Sequence, residues 1–319
     1  MGKLLAADLF CGAGGTTQGA ESSGAVKTIF AVNHWDLAVE AHSRNFPHAK
    51  HVRCDVDKVH PSECGKIHIL LASPPCPGHT HARGNKPTSD QQRSDAWDIM
   101  KWFEFHRMPE AVIENVPGFL NWGPVNPDTG RPIEKFKGKF FESWVGAIQS
   151  AGYKVEWRIL NSADFGALTS RRRLIVRARK GNKPPAWPEL THVDQWRSAR
   201  EAIDLNHTGR PIAGRIVDST LARIADGRSR FGNSFIVEYY GNSTSVSLDC
   251  PLPTITTRDR HGLVVGDTLR MLSNAELAKA QGFPESYYFA GKRQDITKQI
   301  GNSVPPILSK VICSAIAGV

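Results

Sequence analysis

A cysteine that follows two prolines is the group in this sequence best suited to covalent chemistry. Residues 74–76 read Pro-Pro-Cys and come directly after the apolar run 67–72, which predicts a buried strand. The prolines prevent the strand from continuing and stiffen the turn. Because α/β sheets bind ligands at the carboxyl ends of their strands, Cys76 is placed to act as a nucleophile. Its alternative is a buried structural cysteine.

Two other segments supply the remaining chemistry. Residues 8–15 (DLFCGAGG) follow one predicted strand and open a helix, so their glycines would let a ligand approach the backbone and the helix N-terminus. A tight turn without a ligand is the alternative. Glu114 ends another predicted strand. Trp35 and Asp55 follow two further predicted strands. The indole could pack against a base and the carboxylate could accept a hydrogen bond from the amino group of that base. The alternative is that Trp35 is a core residue and Asp55 a turn residue.

The elements that must position these groups alternate along the first 115 residues, which argues an α/β fold with a parallel sheet covered by helices on both faces. The pattern predicts strands at 3–7, 26–32, 51–53, 67–72 and 111–114, and helices at 16–23, 35–46 and 97–107. Further along it predicts a hairpin within 123–138, helices at 140–150 and 306–317, and strands at 153–160 and 174–178. The alternation is lost near residues 181–185 (GNKPP), where we expect a second, smaller domain to begin.

The composition limits the partners of the chain. Its 319 residues carry 40 Lys+Arg against 31 Asp+Glu, a net charge of +9 that favours a polyanionic partner. The six cysteines form no close C-x-x-C pair, so no metal site is predicted, and their scatter suits a reducing cytosol. No apolar stretch approaches the ~18 residues that span a bilayer, so no membrane partner is expected.

Together with residues 163–173, 281–284 (QGFP) and 301–304 (GNSV), these segments resemble the DNA (cytosine-5) methyltransferase family of bacterial or phage type. Their order and spacing match the family over about 1–180 and 265–319. The resemblance implies a Rossmann-like, S-adenosylmethionine-dependent methyltransferase sheet with a smaller, irregular target-recognition domain. Residues 1–180 would form the catalytic and cofactor-binding domain, 181–264 the target-recognition domain, and 265–319 a segment that returns to the catalytic domain.

The resemblance also assigns catalytic roles. Cys76 would add to carbon 6 of cytosine, which makes carbon 5 reactive toward a methyl sulfonium, and Glu114 would share a proton with ring nitrogen 3. Arg171 and Arg173 alternate along an extended segment, so we expect them to point the same way, one bracing the base carbonyl and the other the catalytic loop. A solvated basic strand or a phosphate contact is the alternative for both.

The binding residues implied by the resemblance fall into two sets. The cofactor S-adenosyl-L-methionine would be held by Phe10, Gly12, Ala13, Gly14, Gly15, His34, Trp35, Asp55, Val56, Ser73, Pro75, Asn302 and Val304. The polar loop 77–95 would close over DNA and contact phosphates through His79, His81, Arg83, Lys86 and Arg93.

The expected partner is double-stranded DNA, from which the target base must be flipped out. We expect a monomer in the cytoplasm of a bacterial cell or phage-infected host, working beside a cognate restriction nuclease. Three alternatives stay open: the same chemistry on RNA, a catalytically repurposed DNA-binding protein, and transfer of a larger one-carbon group.

Three positions depart from the family pattern. Pro77 and Thr169 each stand where the family usually has glutamine, which bears on contacts between the catalytic loop and DNA. His34 stands where the family usually has glutamate for the cofactor ribose.

Overall fold

The structure is a computed structural model that describes residues 2–75, 89–90, 93–207, 209–213, 216–239 and 244–319. The chain divides into two compact units, and each is discontinuous in sequence. Unit 1 comprises Met1–Asn161, Arg172–Glu189 and Leu308–Val319, and unit 2 comprises Ser162–Arg171 and Leu190–Ile307. These units differ from the predicted domains, which stay a prediction. One unit boundary lies at 189/190, compared with the predicted boundary near 181, and only the last twelve residues of 265–319 belong to unit 1.

Unit 1 is built on one seven-stranded sheet. Its strands are β1 (Leu4–Leu9), β2 (Val26–Asn33), β3 (Lys50–Arg53), β4 (Ile69–Ala72), β5 (Glu110–Asn115), β6 (Tyr153–Asn161) and β7 (Arg172–Lys180). Its helices include α1 (Gly15–Ser22), α2 (Asp36–Asn45), α3 (Met100–His106) and α4 (Lys139–Ser150). The strand order is β3-β2-β1-β4-β5-β7-β6.

The predicted α/β class is confirmed, but the sheet is mixed. Strands β1 to β5 are parallel, whereas β7 is antiparallel to both β5 and β6. The reason is the connection: ten residues join β6 to β7, and a parallel pair would need a longer crossover. The parallel sheet predicted from the first 115 residues is confirmed for β1 to β5, and β7 and β6 extend it as an antiparallel edge.

The core of unit 1 explains why these sequences form these elements. All four residues of β4 are buried, as expected for a central strand that is covered on both faces. Helix α4 buries Phe141, Trp144, Val145 and Ile148, whose spacing places them on one helical face. The core therefore fixes the sheet, and with it the positions at which the strands end.

Unit 2 contains a five-stranded antiparallel sheet, so the segment predicted to be irregular is more regular than expected. Its strands are β8 (Arg210–Pro211), β9 (Ser234–Glu238), β10 (Ser245–Ser247), β11 (His261–Val265) and β12 (Thr268–Met271), in the order β10-β9-β11-β12-β8. Its helices are α5 (Asp218–Phe231), α6 (Asn274–Gln281) and α7 (Arg293–Asn302). Gly227 of α5 lets that helix lie against the Phe235 ring of β9, because a Cβ at this position would overlap the ring.

The last helix, α8, spans Pro306–Ala317, as the sequence predicts. Within the described part of the chain, Arg293–Ala317 is the one stretch long and apolar enough to pass a test for a membrane-spanning helix. This corrects the expectation that no stretch approaches that length. However, 56% of its apolar window is buried inside the protein, and a buried core helix passes the same test.

Candidate active site

The glycine-rich turn lies between β1 and α1, where the sequence places it. Phe10, Gly12 and Gly14 have φ values of 58°, 53° and 96°, so the backbone turns through the left-handed region three times within five residues. A Cβ at Gly12 would meet no atom within 4 Å, which leaves open space beside the backbone. Helix α1 begins at Gly15, so unpaired N–H groups face the turn. The turn can therefore accept a ligand close to its backbone.

The next two strands bring further predicted residues to the same edge of the sheet. His34 and Trp35 follow β2, and Asp55 and Val56 follow β3, which pairs in parallel with β2. Trp35 is half-buried and precedes α2, whereas Val56 is buried in the core. The exposed side chains of His34 and Asp55 lie 3.6 Å apart.

Asp55 carries a stable negative charge at this edge. Lys58 Nζ donates to Asp55 Oδ2 over 2.9 Å, and this contact lowers the pKa of the carboxyl. Asp95 and Asp98, which the sequence reasoning missed, add negative potential nearby. Burial, followed by the charge of Asp55, raises the pKa of Asp95, and burial followed by the charge of Asp95 raises that of Asp98 to about 6. Their only sequence signal is position: both open the helical segment before β5.

The end of β4 lies directly beside the glycine-rich turn. The Ser73 backbone N–H donates to the Leu9 carbonyl over 3.1 Å, and its hydroxyl lies 3.5 Å from that of Thr16 in α1. Asn115, at the end of β5, donates from Nδ2 to the Pro74 carbonyl over 3.2 Å. This bond was not predicted, although the sequence does place Glu114 at the end of the strand. It ties the acid-bearing strand to the turn that precedes Cys76.

Glu114 and Arg173 form a partly enclosed ion pair. Arg173 Nε donates to Glu114 Oε1 over 2.7 Å, and the two side chains are 11% and 14% exposed. The pair exists because β7 runs antiparallel to β5, with Glu114 opposite Ile175 two residues from Arg173. The arginine fixes the orientation of the carboxyl group at the carboxyl end of β5.

Arg171 differs from Arg173 in its partners. Its buried guanidinium donates to the carbonyls of Ile255 and Gly301, both over 2.6 Å and both within unit 2. The expectation that the two arginines serve one face of an extended segment is therefore corrected, because β7 begins only at Arg172. Arg171 holds loops of unit 2 together.

Asn302 and Val304 also belong to unit 2. Asn302 is the exposed last residue of α7, and Val304 is buried. Gly301 lies so close to the Thr256 carbonyl that a Cβ would overlap it. Thr169, the departure noted above, is buried, and its hydroxyl donates to the Leu252 carbonyl over 2.9 Å. Its role within unit 2 is to join two loops.

The predicted DNA-contacting loop is described only at its end. Cys76, Pro77, His79, His81, Arg83 and Lys86 lie outside the described residues. Arg93 is buried and donates from Nη1 to the Gly123 carbonyl over 2.8 Å. Because this guanidinium is occupied inside unit 1, the expected phosphate contact of Arg93 is corrected to a structural role.

Comparison with known proteins identifies the family. The profile described as C-5 cytosine-specific DNA methylase matches residues 5–318. The chain is 24% identical to type II methyltransferase M.SacI of Streptomyces achromogenes, over 98% of this chain and 93% of that protein. It is 25% identical to type II methyltransferase M.AplI of Arthrospira platensis, over 98% of this chain and 86% of that protein.

Solved structures share the fold. The S. pombe Dnmt2 methyltransferase matches with a TM-score of 0.69 at 15% identity and covers 99% of both chains. The Entamoeba histolytica methyltransferase EhMeth matches with a TM-score of 0.66 at 16% identity, over 100% of this chain and 99% of that one. Members of the matched family are, in general, S-adenosylmethionine-dependent. The resemblance predicted from the sequence is confirmed, and the chain belongs to the C-5 cytosine-specific DNA methylase family.

Proposed function

We propose that this protein transfers a methyl group from S-adenosylmethionine to carbon 5 of cytosine in a specific sequence of double-stranded DNA, through a covalent Cys76 adduct on a flipped-out base. One observation carries the proposal. Asn115 binds the Pro74 carbonyl beside the predicted nucleophile, and its neighbour Glu114 is held by Arg173. A carboxyl group with a fixed orientation is thereby joined to the turn that leads to a thiol.

The chain's own groups would work in sequence. The Cys76 thiolate adds to carbon 6 of the base, and Glu114 shares a proton with ring nitrogen 3, so the ring becomes an enamine. Arg173 keeps the Glu114 carboxyl aimed while charge develops. After methylation, loss of the proton on carbon 5 expels the thiolate and restores the aromatic ring. The bound cofactor supplies an electrophilic methyl group.

The residues of unit 1 fit this cofactor. The open space at Gly12 admits a ligand to the backbone, Trp35 offers a half-buried indole, and the ionised Asp55 can accept from an adenine amino group. His34 stands where a ribose hydroxyl would be held, and an imidazole nitrogen can bind a hydroxyl as donor or acceptor. Ser73 and Pro75 would complete this part of the site, and the predicted cofactor contacts of Asn302 and Val304 stay a proposal.

The decisive experiment is transfer of labelled methyl from S-adenosylmethionine to unmethylated duplex DNA, followed by bisulfite sequencing. We expect label at carbon 5 of cytosine in one sequence context. Label in RNA alone would contradict the DNA substrate, and no transfer by a folded, cofactor-binding protein would contradict the reaction. We also propose that the protein is a cytoplasmic monomer and that it accompanies a restriction nuclease; the type II methyltransferase relatives support the second of these.

Substitution of Asn115 tests the link between the acid and the nucleophile turn. Asn115→Asp removes the donor to Pro74 but keeps an acceptor for the Val116 N–H, which the native side chain binds over 2.9 Å. We expect kcat to fall by about 10²-fold, because small displacements of a reacting group cost that much, while KM for DNA stays unchanged. Asn115→Ala removes both hydrogen bonds, and we expect it to lower kcat little further than Asn115→Asp does. A loss that appears only with Asn115→Ala would contradict the role of the Pro74 bond.

Substitution of Gly12 separates backbone strain from obstruction of the cofactor. Gly12→Ala should cost about 1 kcal/mol of stability, because φ is +53°, while its methyl group enters the open space beside the turn. We expect the Kd for S-adenosylmethionine, measured by calorimetry, to rise more than about tenfold. Gly24→Ala is the matched control, since its φ is also positive, at +76°, and its Cβ also meets nothing within 4 Å. Equal Kd values for the two variants would place the cofactor elsewhere.

A further inference from the structure

A buried carboxyl group lies directly before the glycine-rich turn. Asp8 is fully buried near the end of β1, two residues before Phe10. Its Oδ2 accepts from the Thr17 hydroxyl of α1 over 2.7 Å. Among the described residues its Oδ1 has no hydrogen-bond partner, which is costly for an ionised carboxylate.

The hydrogen-bonded chain continues from Thr17 to the surface. His42 Nε2 of α2 lies 3.2 Å from Thr17 Oγ1, and His42 Nδ1 lies 2.8 Å from His51 Nε2 of β3. His42 is buried, whereas His51 is half-buried. Four side chains, one each from β1, α1, α2 and β3 of unit 1, thus connect the turn to solvent.

Each link can carry its proton in either direction. With Asp8 ionised, Thr17 donates to Asp8, His42 Nε2 donates to Thr17, and His51 Nε2 donates to His42 Nδ1. With Asp8 protonated, every donor reverses, and one additional proton has entered from solvent at the second ring nitrogen of His51. Both arrangements are continuous, and they differ by the shift of one proton along each bond together with this uptake of one proton from solvent.

We propose that Asp8, Thr17, His42 and His51 form a proton relay, through which the half-buried His51 exchanges a proton between solvent and Asp8. Thr17 and His42 also act as positioning residues for the glycine-rich turn. The part concerning the turn rests on the proposed function. The relay itself does not, because all four groups are connected without a cofactor.

The surroundings favour a neutral relay. Burial raises the pKa of Asp8 from 3.8 to about 7 and lowers that of His42 from 6.5 to about 3. Other titratable groups also lie near the relay. The buried thiols of Cys11 and Cys313 interact with Asp8 and have raised pKa values. His48, which is paired with Glu21 over 2.8 Å, helps to lower the pKa values of His42 and His51.

These shifts have opposite consequences for stability against pH. Asp8 is protonated when folded and ionised when unfolded between about pH 4 and 7, so its contribution is lost as pH rises through this range. His42 is neutral when folded and charged when unfolded between about pH 3 and 6.5, so its contribution is lost as pH falls. From about pH 4 to 6.5 the proton that Asp8 releases on unfolding is matched by one that His42 takes up.

The test is the Tm of the cofactor-free protein against pH from about 4 to 8. Relative to wild type, Asp8→Asn should gain Tm as pH rises toward 7, and His42→Gln should gain Tm as pH falls below 6.5. Infrared spectroscopy of wild type at pH 6 should show a protonated-carboxyl band that Asp8→Asn removes. The relay would be overturned if the difference in Tm from wild type changed with pH in the same direction for both variants. It would also be overturned if the wild type showed no protonated-carboxyl band that Asp8→Asn removes. Because the pKa of Asp98 is also raised, to about 6, the infrared measurement is repeated in Asp98→Asn, where the remaining band reports Asp8 even if Asp8→Asn fails to fold.

The positioning role has its own readout. Thr17→Val should weaken S-adenosylmethionine binding by about tenfold and abolish its pH dependence between 6 and 8, and the conservative Thr17→Ser should restore both. Identical binding by the two variants would overturn the positioning role. A wild-type protein that binds no S-adenosylmethionine would overturn the proposed function instead, while the Tm profiles still decide the relay.

Discussion

Replacement of Cys76 by alanine is expected to lower methyl transfer to DNA by about 10⁴-fold or more, because no other step in the proposed reaction makes carbon 5 nucleophilic. Cofactor binding and Tm should stay near wild type, since the turn at 74–76 keeps both prolines. The measurement is single-turnover transfer of labelled methyl, with a gel assay for the covalent protein–DNA adduct on 5-fluorocytosine. Fluorine replaces the proton on carbon 5 of this base, so the thiolate cannot be expelled and the adduct persists.

Cys250 provides the matched control. It is a free, exposed cysteine in unit 2, and Cys250→Ala should retain both transfer and adduct formation. An adduct that survives in Cys76→Ala but disappears in Cys250→Ala would move the nucleophile to unit 2. Transfer within tenfold of wild type in Cys76→Ala would remove covalent catalysis by this residue altogether.

Two glutamates on the same strand allow an equally sharp test of the acid. Glu114 pairs with Arg173 at the carboxyl end of β5, and Glu110 pairs with Arg177 over 2.8 Å at the other end. Glu114→Gln should lower kcat by about 10²–10⁴-fold, because an amide cannot supply the proton for ring nitrogen 3.

The same change at Glu110 should affect stability instead. Arg177 is fully buried and also donates to the Ala186 carbonyl, so loss of its charged partner should cost on the order of 2 kcal/mol without changing kcat. The two variants are compared by thermal unfolding and by steady-state kinetics. If Glu110→Gln lowered kcat as much as Glu114→Gln, the loss would come from breaking an ion pair between β5 and β7, and the acid role of Glu114 would be contradicted.

The sequence predicted the site best where local chemistry decides it. Glycines impose the turn at 8–15, prolines end β4, and polar residues directly follow buried apolar runs. Consequently Ser73, Trp35 and Asp55 all lie at the ends of predicted strands. These signals are confined to a few neighbouring residues, and a single sequence contains them in full.

The sequence predicted less well where a partner distant in the chain decides the role of a side chain. The RRR run at 171–173 shows alternation, yet Arg171 is committed to carbonyls at 255 and 301, more than eighty residues away. Arg93 was assigned to DNA from its charge and its loop, but the Gly123 carbonyl takes up its guanidinium. The pairing of β7 with β5 likewise depends on a partner distant in the chain, although the direction of β7 relative to β6 follows from their short connection.

The split of each unit into separated segments has a consequence for how specificity is exchanged between relatives. The proposed target-recognition region, 181–264, lies mostly in the second segment of unit 2, so the natural cassette for an exchange is that segment, residues 190–307. In this chain such a cassette omits Ser162–Arg171, from which Arg171 binds Ile255 and Gly301 and Thr169 binds Leu252. A transplanted cassette would leave these buried carbonyls without donors. Recombination that conserves function must therefore carry two separate stretches of the gene, and this linkage restricts which crossovers yield a new specificity.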